Sequence, residues 1–161
     1  MEPFERVVEQ HGETVLRVCR ALLGEHAAED AWSETFLAAL TAYPRLRPGS
    51  DVRGWLVTIA HRKAVDVLRA RARGAVPVAD PPEPATSGEH PGDGRSQQRD
   101  QVWRAVAALP PKQRQCVAYH HVGGLPYDEV AALVGGTPAA ARRAAADGIA
   151  ALRRTWTEEE F

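Results

Sequence analysis

At 161 residues, 44% of them hydrophobic, the chain can bury one medium core or two small ones, which excludes wholesale disorder. A formal net charge of −1 excludes a protein that coats nucleic acid by overall charge, so any such contact has to be local. The two cysteines, Cys19 and Cys116, lie far apart within apolar helical patterns, which excludes the disulfide framework of a small secreted domain.

The N-terminal run MEPFERVVEQ is charged and lacks the apolar centre of a signal peptide, and no later run approaches the roughly 18 apolar residues of a membrane span. A cytoplasmic protein with no membrane contact is expected. In the first half, Phe4, Val7, Val8, His11, Val15, Val18, Cys19, Leu22 and Leu23 recur at helical spacing and predict a helix ending near Gly24. The stripe Ala31, Trp32, Thr35, Phe36, Ala39, Leu40 and Tyr43 predicts a second helix over 27–43, stopped by Pro44. After the turn PRLRPGS, Ser50 and Asp51 are N-cap candidates for a third helix running to about Arg73, with Val52, Trp55, Leu56, Ile59, Ala60, Ala64, Val67 and Leu68 on its apolar face.

Proline, glycine and acidic residues then crowd the stretch 75–94, the composition of a flexible linker. The flanking parts are close to neutral: residues 1–75 carry eleven Lys or Arg against ten Asp or Glu, and residues 98–161 eight against seven. Beyond the linker, Val102, Val106 and Leu109 mark a short helix. Pro110 breaks it and Pro111 opens the next, which carries Gln113, Val117, His120 and His121 and stops at Gly123 and Gly124. LPYDEVAALVGGTPAAARRAAADGIAALRR reads as helix, glycine turn, helix, with Thr137 and Pro138 as cap and first residue of the last helix. No strand pattern occurs, so the expected fold is all-α: two small helical domains, 1–75 and 98–161, joined by a linker over 76–97, the second domain a helix-turn-helix.

Few residues suggest chemistry. IAHRKAVDVLRARAR sets Arg62, Arg69 and Arg73 on one side of a helix around Asp66, with Lys63 and Arg71 extending the positive surface. Such a run is usually a solvated helix face, and the alternative is phosphate binding. Cys116 and His120 are four residues apart beside His121, but two ligands do not make a zinc site, and packing is the expected role. Neither glycine pair precedes a GK[ST] element, and no GxSxG cluster is present, so neither an enzyme nor a cofactor is expected.

The run AEDAWSETFLAALTAYPRLRPGSDVRGWLVTIAHRKAVDVLRARAR resembles the second conserved region of sigma-70 family RNA polymerase sigma factors of the extracytoplasmic-function group, and LPPKQRQCVAYHHVGGLPYDEVAALVG resembles their fourth region. The resemblance implies a protein that directs core RNA polymerase to promoter DNA and helps open it, with an anti-sigma factor as a further candidate partner. It implies that Glu29, Asp30, Ser33, Glu34 and Leu37 face the clamp helices of the polymerase. The loop from Pro44 to Arg53 would accept a base flipped from the non-template strand. Trp55, His61, Arg62, Lys63 and Arg69 match the part that receives promoter DNA near the minus-ten element, with Arg73 extending it, although Trp55 on an apolar stripe is expected to be core.

In the second domain, Thr137, Arg142 and Arg143 would meet the minus-thirty-five element through the last helix. Here the sequence departs from the family pattern. Alanines replace most of the usual basic and hydroxyl residues, Asp147 repels phosphate, Gly148 costs about 1 kcal/mol inside a helix, and Pro126 stands where a serine cap is common. The alternative is a sigma-like regulator that binds a protein partner through these altered last helices.

Overall fold

A computed structural model describes residues 2–74 and 94–159, without the side chains of 94–98 and 157–159. Among the described residues every regular element is helical. Most of the expected linker lies outside them, and the chain is already helical from Gly94.

Helix α1 (Phe4–Leu23) and helix α2 (Glu25–Ala42) are separated by Gly24 alone. Its φ of +84° reverses the chain at a point where a side chain would be strained, and its N–H still bonds the Arg20 carbonyl. The indole N–H of Trp32 donates to the Gly12 carbonyl at 2.8 Å, pinning α2 to α1 through a polar atom that burial would otherwise orphan. Thr35, fully buried, donates to the Ala31 carbonyl one turn back.

A tight turn at Tyr43–Arg45, formed around Pro44, ends α2. Phe4, Trp32, Phe36, Tyr43 and Trp55 form a chain of ring contacts that closes this end of the three-helix unit. Helix α3 (Val52–Ala72) begins on Asp51, whose carboxylate accepts from the Gly54 N–H. Ser50, the other cap candidate, instead donates to the Arg47 carbonyl within the turn. Leu56, Val57, Ala60 and Ala64 of α3 are buried against α1 and α2.

In the second half, helix α4 (Gly94–Ala107) is closed by Arg114, which donates to the carbonyls of Ala107 and Leu109. Pro110 and Pro111 open helix α5 (Pro111–Cys116), which widens into a π-helical segment, Val117–Val122. Helix α6 (Tyr127–Val134), the Gly135–Gly136 turn and helix α7 (Pro138–Glu159) form the helix-turn-helix. Thr137 caps α7 through the Ala140 N–H at 3.1 Å, as its sequence predicts.

The buried residues of the two halves form a single cluster. Val15, Val18 and Cys19 of α1 and Leu56 of α3 belong to it together with Tyr119, Leu125 and Val130. Arg20 lies 4.9 Å over the Trp103 ring, and Gly123 packs on Val18, so α1 carries much of this junction.

Candidate functional site

Helix α2 turns Ala28, Ala31, Thr35, Phe36 and Ala39 inward, which places Glu29, Asp30, Ser33, Glu34 and Leu37 together on the exposed side. The result is an acidic surface that continues into an apolar one. Leu37 is 65% exposed and Leu40 52%. Leu40 is expected in the core from the apolar stripe, and the structure corrects this: with Phe36 and Ala39 buried, the next position rotates about 100° away from the interior.

On α3, Arg62, Asp66, Arg69 and Arg73 are exposed at spacings of three and four, and among the described residues none of the three arginines makes an ion pair. Lys63 beside them is half-buried. Arg71 does not extend this surface. It reaches back to donate to the Leu23 carbonyl at 3.1 Å, satisfying the C-terminus of α1.

His61 also differs from the simple reading of a DNA-facing residue. It is half-buried, and its Nδ1 lies 2.5 Å from the Tyr119 hydroxyl of the other half, with the rings edge to face. Burial, then the neighbouring Arg62 charge, lowers the imidazole pKa. Burial, then the nearby Cys19 and Cys116, raises that of the phenol. Both groups are held neutral, so the phenol O–H donates and the imidazole nitrogen accepts.

Around this contact, Thr58, His61, Arg62, Val65, Asp66 and Arg69 of α3 form one wall of a groove whose other wall is Ala132 and Leu133 of α6. A more apolar hollow continues it between Trp55 and Leu125. The loop before α3 is exposed from Arg47 to Asp51, and Arg53 lies across Gly124, where a Cβ would come within 3.1 Å of the guanidinium carbon. Trp55, expected in the core, is partly buried and packs against it.

On α7, Arg142 and Arg143 are exposed while Ala141, Ala145 and Gly148 are buried against the preceding helices. A Cβ at Gly148 would lie 2.7 Å from Val117 Cγ2, so the glycine allows the helices to approach. Pro126 gives α6 no side-chain cap, and Asp128 and Glu129 supply first-turn negative charge instead. Cys116 is fully buried with its thiol pKa raised, and His120 Nδ1 hydrogen-bonds the Leu125 carbonyl.

The Sigma-70 region 2 family matches residues 7–74, and Sigma-70 region 4 matches residues 99–152. Over 99% of its length the chain is 32% identical to RNA polymerase sigma factor CarQ of Myxococcus xanthus, covering 92% of that protein. This chain belongs to the sigma-70 family. It is also 34% identical over 86% of its length to the extracytoplasmic-function sigma factor SigD of Mycobacterium tuberculosis, covering 70% of it, which places it in that group. Among solved structures, RpoE of Bartonella quintana, in complex with the anti-sigma factor NepR, aligns at a TM-score of 0.76 and 19% identity over 96% of each chain. CnrH, in complex with the cytosolic domain of CnrY, aligns at 0.68 and 20% identity over 96% of this chain and 88% of that one. These two similarities show the fold.

In this sigma factor the expected α2 residues share one surface, and Arg62, Arg69 and Arg73 share another. Thr137 is engaged as a cap, leaving Arg142 and Arg143 as the exposed cations of the first turns of α7. Sequence reasoning missed Tyr119 and Leu40. Tyr119 reads as an ordinary core aromatic, and its partner His61 is 58 residues away, beyond any local pattern. Leu40 was legible only once the inward direction of α2 had been set.

Proposed function

We propose that this sigma factor engages core RNA polymerase through Glu29, Asp30, Ser33, Glu34 and Leu37 and promoter DNA through α3 and α7. The observation that carries the reading is the pair of opposite surfaces on one three-helix unit: an acidic and apolar face on α2, and exposed arginines without ion pairs on α3. Residues 1–75 then serve polymerase and the minus-ten element, and residues 98–161 the minus-thirty-five element. Arg62, Lys63, Arg69 and Arg73 attract phosphate, His61 adjoins them, and the loop from Pro44 to Arg53 holds a flipped base. Arg142 and Arg143, beside the capped Thr137, meet the upstream duplex.

Two promoter elements some 25 base pairs apart are separated by about 85 Å at 3.4 Å per pair. Here the two halves share one buried cluster, with α6 facing α3 only across a groove, so engaging both elements requires the halves to part. An anti-sigma factor is a further partner of the kind expected, since the Bartonella protein of similar fold is solved in complex with one. Among the described residues no helix is long and apolar enough to cross a membrane, and we place the protein in the cytoplasm with polymerase. It acts by binding and positioning, and we assign it neither catalysis nor a cofactor.

The test is transcription by purified core polymerase supplemented with this chain, with start sites mapped. Starts that depend on the chain and on Glu34 are expected: Glu34→Lys reverses charge on an exposed face and should abolish co-purification with polymerase while the helical content stays intact. Normal co-purification of that variant removes the α2 assignment. Replacing Arg142 and Arg143 together by Ala should lower the salt slope of upstream-duplex binding by about one for each lost phosphate contact.

A further inference from the structure

Arg142 and Arg143 are adjacent, exposed and chemically identical, yet their surroundings differ. Arg142 lies with its guanidinium carbon 4.9 Å from the centre of the Tyr127 ring. The His120 ring stacks on the same tyrosine at 3.8 Å and 15° between planes. His120 is itself fixed, since its Nδ1 hydrogen-bonds the Leu125 carbonyl at 2.8 Å. Leu125 is 2% exposed, and its N–H bonds the carbonyl of fully buried Tyr119. A continuous set of contacts therefore runs from the protein interior through His120 and Tyr127 to one arginine of the pair. Among the described residues Arg143 has no ring or carboxylate partner.

We infer that Tyr127, backed by His120, is a positioning residue that presents Arg142 to the edge of a base pair, leaving Arg143 as a freely moving phosphate contact. The proposal rests on the reading of α7 as a DNA-contacting helix and adds a division of labour within it. A long arginine side chain pays rotamer entropy whenever it is fixed, and a contact that fixes it beforehand removes that cost from binding. Stacking suits this purpose because it occupies the face of the guanidinium and leaves its edge donors free. Those donors are what two acceptors on a guanine require. A carboxylate partner would have consumed them. The alanines around Arg142 fit the same scheme, since they add no competing side chain at the helix surface.

The experiment uses holoenzyme formed with the full chain and a panel of upstream duplexes, each carrying one base-pair change from a mapped promoter. Arg142→Ala should abolish the preference at one base pair, whereas Arg143→Ala should weaken all duplexes alike. Tyr127→Leu, which fills space without a π face, should reduce the preference at the Arg142 base pair by about 2- to 5-fold, and Tyr127→Phe should leave it intact. In the Arg142→Ala background Tyr127→Leu should do nothing further. The positioning role is overturned if Tyr127→Leu weakens every duplex equally, if it acts as strongly without Arg142, or if Tyr127→Phe is as damaging. Arg142→Ala weakening all duplexes alike overturns base reading. If neither arginine variant changes duplex binding, the DNA-contact reading of α7 itself fails, an outcome distinct from the others.

Discussion

Gly148 sits in the interior of α7, where glycine ordinarily costs about 1 kcal/mol relative to alanine. The sequence marks it as a weakness, and the structure supplies the compensation: a methyl group there would stand 2.7 Å from Val117 Cγ2. Val117 is β-branched and buried, so it cannot turn aside without strain. Overpacking of this kind costs about 1–3 kcal/mol, which outweighs the gain in helix propensity. Gly148→Ala should therefore destabilise the protein by about 1 kcal/mol in denaturant unfolding. Combined with Val117→Ala, the loss should fall short of the sum of the single losses by at least about 0.5 kcal/mol, since the second change removes the obstruction. A Gly148→Ala variant more stable than the parent would show that Val117 yields easily. Thr137, by contrast, was readable from sequence because its partner, the Ala140 N–H, is three residues away.

Helices end where local chemistry ends them, and for that reason the elements were largely legible. Gly24, Pro44, Asp51 and Pro111 act on neighbours within a turn, and the observed boundaries follow them. The direction in which a helix faces was less legible. The apolar stripe of α2 is consistent with two inward directions, and only packing against α1 and α3 selects the one that buries Ala28, Ala31 and Ala39 and exposes Leu40. Likewise Arg71 has the spacing of a surface cation, while the carbonyl that takes it belongs to a helix 48 residues away. Leu37 and Leu40 together continue the acidic surface as an apolar patch, the arrangement expected where charge steers a partner and burial holds it. Leu40→Ser should thus leave the unfolding midpoint nearly unchanged, within about 0.5 kcal/mol, because the side chain is already half in water. It should weaken association with core polymerase several-fold, as read by the dissociation rate in a surface-binding assay. A large loss of stability would return Leu40 to the interior and remove it from the binding face.

How the two halves meet was the least legible feature, because Tyr119, Leu125 and Trp103 satisfy the pattern of a self-contained second domain just as well as that of a shared core. The contact between His61 and Tyr119 turns this junction into a pH-dependent one. Burial and Arg62 hold the imidazole below its ordinary value of 6.5 in the folded chain, so on acidification the unfolded chain takes up the proton first. The stabilisation is complete above that ordinary value and is lost as pH falls from it toward the lowered native pKa. Protonation also removes the nitrogen lone pair that accepts from the phenol, so the charged form loses the hydrogen bond as well. His11 and His121 are lowered too, so a variant is required to isolate the contribution of His61. His61→Phe keeps a ring against Tyr119 but can neither accept the hydrogen bond nor titrate. Against the parent chain it should show a clear deficit in urea midpoint at about pH 7.5 that is smaller at about pH 5.5, below the ordinary imidazole value, as the parent loses part of the same interaction. A deficit of equal size at both pH values would mean that His61 contributes by packing alone. If the junction is what acid loosens, the parent chain should also expand in solution scattering over the same interval, before helical content falls, while the variant should be as open at neutral pH as the parent is in acid.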